Sequence, residues 1–114
     1  MMAEDWRPSA SLEVLRSRAG MLERIRAYFA AQEVREVQTP ALSAAAASDP
    51  AIESVAAEAA PGMQSWLQTS PEFSMKRLLA AGFGDCYQVC PVFRAGESGR
   101  LHNPEFTLIE WYRL

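Results

Sequence analysis

Apolar residues recur at helical spacing at Leu12, Leu15, Ala19, Leu22, Ile25 and Phe29, while Arg16, Arg18, Glu23, Arg24 and Arg26 occupy much of the remaining surface. That period predicts a helix over about residues 10–31. Ser9 and Ser11 are candidate N-caps, and Glu13 suits the positive end of the first turn. Gly20 lies inside the helix at a cost of about 1 kcal/mol relative to Ala; close packing and simple tolerance would both account for it. Val34 and Val37 then alternate with charged residues in EVREVQTP, which predicts a short strand stopped by Pro40.

Residues 41–62 are alanine-rich, broken by Asp49-Pro50 and Pro61-Gly62, and show no wide apolar stripe. They read as a loop with at most one helical turn. Residues 66–69 read as a short strand. Ser70-Pro71-Glu72 starts a helix, with Ser70 as N-cap, Pro71 at the first helical position and Glu72 in the first turn. Phe73, Lys76, Arg77, Leu78 and Leu79 carry it to Ala81, and Gly82 stops it. Residues 85–92 (DCYQVCPV) predict a strand with Gln88, Cys90, Val92 and Arg94 on one face. Tyr87, Val89 and Phe93 point the other way, towards a packed layer. A turn carrying Gly96, Ser98 and Gly99 follows. A second strand begins near Pro104 and alternates through Phe106, Leu108, Glu110 and Tyr112.

The last face is unusual. A ring, an aliphatic side chain, a carboxylate and a phenol in a row suit a polar ligand pocket better than a core. Arg94 ends the partner strand, and Arg100, His102 and Asn103 sit at the loop and its exit. Cations there suit an anionic, planar-headed ligand such as a nucleotide.

Composition narrows the classes. The chain has 114 residues, 49% hydrophobic and 22% charged, one domain's worth at most. No segment approaches the ~18 apolar residues of a membrane span, and no signal-peptide pattern opens the chain. A net charge of −3 argues against a large nucleic-acid surface. Cys86 and Cys90 are the only cysteines. On one strand their Cα atoms stand roughly 13 Å apart, whereas a disulfide needs less than about 7 Å. They read as buried thiols in a reducing cytosol, and neither they nor the lone His102 make a metal site.

The stretch FRAGESGRLHNPEFTLIEWYR resembles motif 2 of the class II aminoacyl-tRNA synthetases in its lysyl form. The HNPEFT segment followed by EWY is nearest the branch of that family that attaches a lysine-type amino acid to elongation factor P. The helix running into a strand that ends in Pro40 resembles motif 1, about residues 10–42, which in the family forms a homodimer interface. LQTSPEFSMKRLLAAG resembles the family's substrate-binding turn. Motif 2 covers about residues 86–113. The resemblance implies an α+β fold: the N-terminal part of a class II catalytic domain, with an antiparallel sheet and flanking helices. Motif 3, with its second ATP-binding arginine, has no counterpart here, so the 114-residue chain by itself is expected to be inactive.

The family joins an amino acid to ATP. The substrate carboxylate attacks the α-phosphorus, pyrophosphate leaves, and an adenylate remains. The resemblance implies that Arg94 is the catalytic residue, bidentate on phosphate. It also implies ATP contacts from Ala95 and Gly96 through main-chain groups, from Glu97, from His102 to the outer phosphates, from Asn103, and from Phe106 stacked on adenine. Ser70, Pro71, Glu72, Glu110 and Tyr112 would line the amino-acid pocket, with Glu110 and Tyr112 holding the amino groups and carbon stem. Mg2+ is expected from the family, on ligands outside this chain. One departure stands out: the lysyl pattern has a glutamate two residues after the motif 2 arginine, where this chain has Gly96. Either Glu97 replaces it through a shifted loop or the backbone takes over its contact.

The implied function is ligation of a lysine-type amino acid, (R)-β-lysine, to a lysine of elongation factor P in the cytoplasm. Only some ten residues precede the first helix, leaving no room before it for an anticodon-binding barrel, which makes tRNA an unlikely partner. The alternatives are a lysyl-tRNA synthetase core and a non-catalytic module that dimerises or binds nucleotide.

Overall fold

In the computed structural model, which describes residues 5–96 and 102–114, the chain divides into two compact units, Met1–Glu33 and Val34–Leu114. The first is built on one helix, α1 (Leu12–Ala31). Of the two serines proposed as caps, Ser11 fills the position. Its backbone is extended and its Oγ accepts the Val14 N–H at 3.1 Å, satisfying a donor that the first turn leaves without a helical partner. At the other end, Gln32 N–H donates to the Tyr28 and Phe29 carbonyls at 3.1 Å. Glu33 then enters the left-handed region at φ 59°. Phe29 is buried, with its ring edge-on to Tyr28. Leu12, Val14, Leu15, Met21 and Tyr28 are exposed, so much of the helix's apolar surface stands uncovered.

The second unit holds two small sheets and a helix. In chain order its elements are β1 (Arg35–Glu36), β2 (Leu42–Ser43), β3 (Val55–Ala60), β4 (Met63–Leu67), α2 (Glu72–Ala80), β5 (Cys86–Phe93) and β6 (Glu105–Tyr112). One sheet has the order β1-β5-β6, with β1 parallel to β5 and β6 antiparallel to it. The other has the order β2-β4-β3 and is antiparallel throughout. The architecture is α+β, as expected.

The β5–β6 hairpin keeps register from Cys86 opposite Tyr112 to Phe93 opposite Glu105. Directly opposed residues share a face, so Cys86, Gln88, Cys90 and Val92 lie beside Tyr112, Glu110, Leu108 and Phe106. All four of those β5 residues are buried. The sequence pattern assigns the packed layer to the opposite face, of Tyr87, Val89 and Phe93. The structure puts only Tyr87 fully inside there, with Val89 and Phe93 half-buried. The reason is α2: Met75 packs with Cys86 and Val37, and Leu78, Leu79 and Tyr112 close around them. The face that carries the polar site is thus also the face that carries the core, one end given to each.

Three other expectations need correction. Residues 41–62 are not a loop. They supply β2 and β3, and β3 pairs with β4 through the two-residue turn Pro61-Gly62. Gly62 at φ 73° with proline before it satisfies the dihedral demands of that turn. Alanine has little strand preference of its own, so the strand VAAEAA is made by this turn and by pairing with Trp66 and Leu67. The strand placed at residues 66–69 starts earlier, at Met63, and ends at Leu67. Finally, the cap of α2 is Pro71, which is fully buried. Ser70 stands one residue outside and its Oγ accepts the Glu72 N–H at 3.2 Å, a turn contact in place of a first-turn cap. Gly82, at φ 88°, ends the helix as predicted.

Candidate active site

A cleft of about 510 Å³ opens in the second unit. Its lining comes from four places: Pro40 and Ser43 beside β2; residues 45–49 with Ile52; residues 67–70 running into Glu72, Phe73 and Ser74 of α2; and Arg94, Leu108 and Glu110 of the hairpin. Ser70, Glu72, Arg94 and Glu110, separated by up to forty positions in sequence, thus meet around one cavity.

Each charged group is held. Arg94 follows β5, where its own N–H donates to the Pro104 carbonyl at 2.9 Å. Its Nε and Nη2 donate to the Thr69 carbonyl at 3.4 and 3.3 Å. Its guanidinium carbon lies 5.2 Å from the centre of the Phe106 ring, within range of a cation–π contact. Glu110 accepts a 2.8 Å hydrogen bond from the Tyr112 hydroxyl. Glu72 pairs with Lys76 one turn along α2, at 2.8 Å.

Burial, the Glu110 hydrogen bond and the charges of Glu110 and Glu72 all push the Tyr112 hydroxyl well above the usual phenol range. Tyr112 is therefore a phenol at any physiological pH and a donor to Glu110. Burial, with Glu110 adding its charge, raises the Cys90 thiol, while a hydrogen bond from Gln68 pulls the other way. Burial and then Asp85 raise Cys86. Both cysteines are free, as the strand spacing predicts.

The two half-buried carboxylates and the guanidinium give the cleft a definite chemistry. Glu72 and Glu110 can each receive an ammonium. Arg94 presents a planar fork to a carboxylate or phosphate. The wall built from Ala45, Ala46 and Ala47 offers methyl groups to an aliphatic stem. Gln68 Oε1, buried and without a hydrogen-bond partner, adds an unused acceptor on a lining residue.

The remaining predicted site residues lie outside this lining. Pro71 is fully buried. Tyr112 and Phe106 touch the lining residues Glu110 and Arg94, the first by its hydroxyl and the second by its ring. Ala95 donates its N–H to the Glu53 carbonyl at 2.9 Å, and Gly96 turns at φ 77°. His102 and Asn103 are exposed. Glu97, with Ser98, Gly99 and Arg100, lies outside the described residues. Among the described residues no three His, Cys, Asp or Glu side chains gather as a metal site. The Mg2+ of the family is expected on ligands outside this chain, and the steps proposed for the cleft use only the chain's own groups.

Sequence reasoning missed the contacts that anchor the alanine wall and Arg94. The wall is fixed by serines: Ser43 Oγ accepts from Ala45 N–H at 3.2 Å, and Ser54 Oγ accepts from Ala47 N–H at 2.9 Å. Ser43-x-Ala45 is a recognisable side-chain turn; the seven-residue reach of Ser54 is not. Thr69, which orients Arg94, acts through its carbonyl and left no signal in its side chain.

Comparison with known proteins follows the same line. The family described as tRNA synthetases class II (D, K and N) matches residues 3–113. A relative named Elongation factor P--(R)-beta-lysine ligase, from Photobacterium profundum, is 50% identical over 117 residues, covering 98% of this chain and 36% of the relative. Relatives of the same name are 51% identical over 113 residues in Pseudoalteromonas translucida and 49% identical over 119 residues in Vibrio cholerae. These cover 95% and 100% of this chain, and 35% and 37% of the relatives. The chain spans little more than a third of the length of these relatives.

Proposed function

Because the chain belongs to the class II tRNA synthetase family of the D, K and N type, we propose that its cleft binds a lysine-type amino acid beside ATP, activates it as an adenylate and, in the full-length protein, passes it to a lysine of elongation factor P. The observation that carries this reading is the meeting of Glu72, Glu110 and Arg94 around one cavity. A lysine-type amino acid has two ammonium groups, an aliphatic stem and one carboxylate. The cleft has two carboxylates, a methyl wall and one guanidinium.

In this reading, Glu110, aimed by Tyr112, receives one ammonium and Glu72 the other. A substrate carboxylate oxygen attacks the α-phosphorus of ATP; the bond from phosphorus to the bridging oxygen breaks, and pyrophosphate leaves. Arg94 stabilises the negative charge gathering on the α-phosphate oxygens. Because the Thr69 carbonyl and the Phe106 ring already hold it, little reorientation is needed at that moment. The acceptor lysine amine, unprotonated, then attacks the acyl carbon. An amide forms, AMP departs, and the amine loses a proton to solvent. Asn103 and His102 serve ATP from the start of the second hairpin strand, with Ala95 and Gly96 contributing main-chain groups; Glu97 is assigned to ATP by the motif alone.

The names of the relatives support elongation factor P and (R)-β-lysine as substrates. The exposed apolar positions of α1 support a homodimer through the motif 1 region. Two free, buried thiols suit a cytoplasmic protein.

The test is pyrophosphate exchange by the full-length protein with (R)-β-lysine and with lysine, followed by transfer to elongation factor P and to lysine tRNA. Exchange driven by β-lysine with transfer to the protein acceptor is expected. Transfer to tRNA would instead indicate a lysyl-tRNA synthetase core, and ATP binding without exchange a non-catalytic module.

A further inference from the structure

One buried polar side chain is not used by the chemistry above. Gln88, in the middle of β5, is only 2% exposed. Burying an amide there is costly unless its hydrogen-bonding groups are satisfied, and both are satisfied by one residue 49 positions away. Gln88 Oε1 accepts the Thr39 N–H at 3.1 Å, and Gln88 Nε2 donates to Thr39 Oγ1 at 2.9 Å.

The main-chain pairing between β1 and β5 explains the need. It runs from Arg35 N–H on the Asp85 carbonyl to Val37 N–H on the Tyr87 carbonyl, and the strand itself ends at Glu36. The next residues are Gln38, Thr39 and Pro40, and proline has no N–H to continue a ladder. The Gln88 side chain replaces the missing rungs. It grips Thr39 by backbone and side chain together and so fixes the approach of Pro40, which lines the cleft. Across the hairpin, Gln88 is the direct partner of Glu110 on the same face. One residue thus sits between the proline wall and the carboxylate proposed to hold the substrate.

We infer that Gln88 is a positioning residue, which through Thr39 sets the separation between the Pro40 wall and the Glu110 carboxylate and so tunes binding of the amino acid but not of ATP. The inference rests on the proposed function of the cleft. Thr39→Val tests it, because it removes the Oγ1 acceptor while preserving the branched shape and the backbone N–H. Gln88→Met removes both bonds. Thr39→Ser restores the hydroxyl.

The experiment measures KM for the amino acid and KM for ATP separately, by pyrophosphate exchange in the full-length protein, alongside thermal unfolding of each variant. One neutral buried hydrogen bond predicts a rise of about fivefold in amino-acid KM for Thr39→Val. Gln88→Met should give a larger rise, ATP KM should hold in both, and Thr39→Ser should return to the starting value. Both KM values rising in step, or unfolding temperature falling with unchanged kinetics, would overturn the inference and leave Gln88 a plain structural residue. If Gln88→Met does not fold, Thr39→Val and Thr39→Ser decide by themselves. Absence of exchange in the unmutated protein would overturn the functional reading, and this inference with it; exchange present with unsplit KM values would overturn this inference alone.

Discussion

Replacing Tyr112 by phenylalanine removes one oxygen and leaves the ring in the cluster with Met75, Cys86 and Val37. The lost contact is the 2.8 Å hydrogen bond to Glu110 Oε2. A hydrogen bond to an ionised acceptor is worth about 1.5–3 kcal/mol. Tyr112 and Glu110 are both half-buried, which favours the lower end of that range. Since about 1.4 kcal/mol is a factor of ten, Tyr112→Phe should raise KM for the lysine-type amino acid about tenfold. The turnover number and KM for ATP should change little, because the ammonium proposed to meet Glu110 keeps its charge through the reaction. The assay is steady-state pyrophosphate exchange by the full-length protein, with thermal unfolding as a control. A double-mutant cycle sharpens it: once Glu110→Gln is in place, adding Tyr112→Phe should cost far less than tenfold, because the hydroxyl acts through that carboxylate. An unchanged amino-acid KM, or an equal rise in both KM values, would refute the assignment of Tyr112 as the residue that aims Glu110.

Arg94→Ala should lower adenylate formation by about a hundredfold or more, the usual cost of losing a preorganised charge partner. Arg94→Lys should recover only part, since a lysine can neither bridge to Thr69 through two nitrogens nor lay a plane on Phe106; near-normal exchange in Arg94→Ala would exclude the catalytic role. Stability should fall at alkaline pH. The folded pKa values of Cys86, Cys90 and Tyr112 all lie above the ordinary 9.0 and 10.0, so the stabilisation is complete below pH 9 and is lost as pH rises beyond it. An unfolding temperature that stays level from pH 8 to 11 would contradict this, and Tyr112→Phe should flatten the upper part of the curve. Gly20→Ala should stabilise the protein by about 1 kcal/mol, because the added Cβ would meet only the end of the Arg24 side chain, at 3.5 Å. A loss of stability together with a loss of dimer would show instead that a partner helix passes close to Gly20.

What the sequence made legible depended on how local the cause was. The period of α1, the Ser11 cap, the stop at Gly82 and the hairpin faces all follow from residues a few positions apart, and they appear in the structure. The β2-β4-β3 sheet does not follow from local residues. Its strand VAAEAA carries little strand preference beyond Val55, and a proline-glycine turn creates it only in company with Trp66 and Leu67. The burial of the hairpin depends on which side α2 packs, and alternation on two strands cannot report that. In the site, side chains that carry charge were legible through their motifs. The groups that aim them were not. Thr69 works through a carbonyl and Gln88 through a contact 49 residues distant, and neither leaves a periodic mark.

The Glu72–Lys76 pair carries a last consequence. Its side chains are about half exposed, at 47% and 55%, and an exposed pair at this helical spacing contributes only about 0.3–0.5 kcal/mol. That is roughly a factor of two in occupancy. If Glu72 receives a substrate ammonium as proposed, Lys76 is a placeholder: it keeps the carboxylate extended and its charge balanced in the empty cleft, yet yields to the incoming cation at almost no penalty. A tethered cation of this kind also sets a threshold. Weak monoamines and sodium ions gain nothing by displacing it, whereas a ligand whose second ammonium is already anchored at Glu110 arrives at an effective concentration that outcompetes the tether.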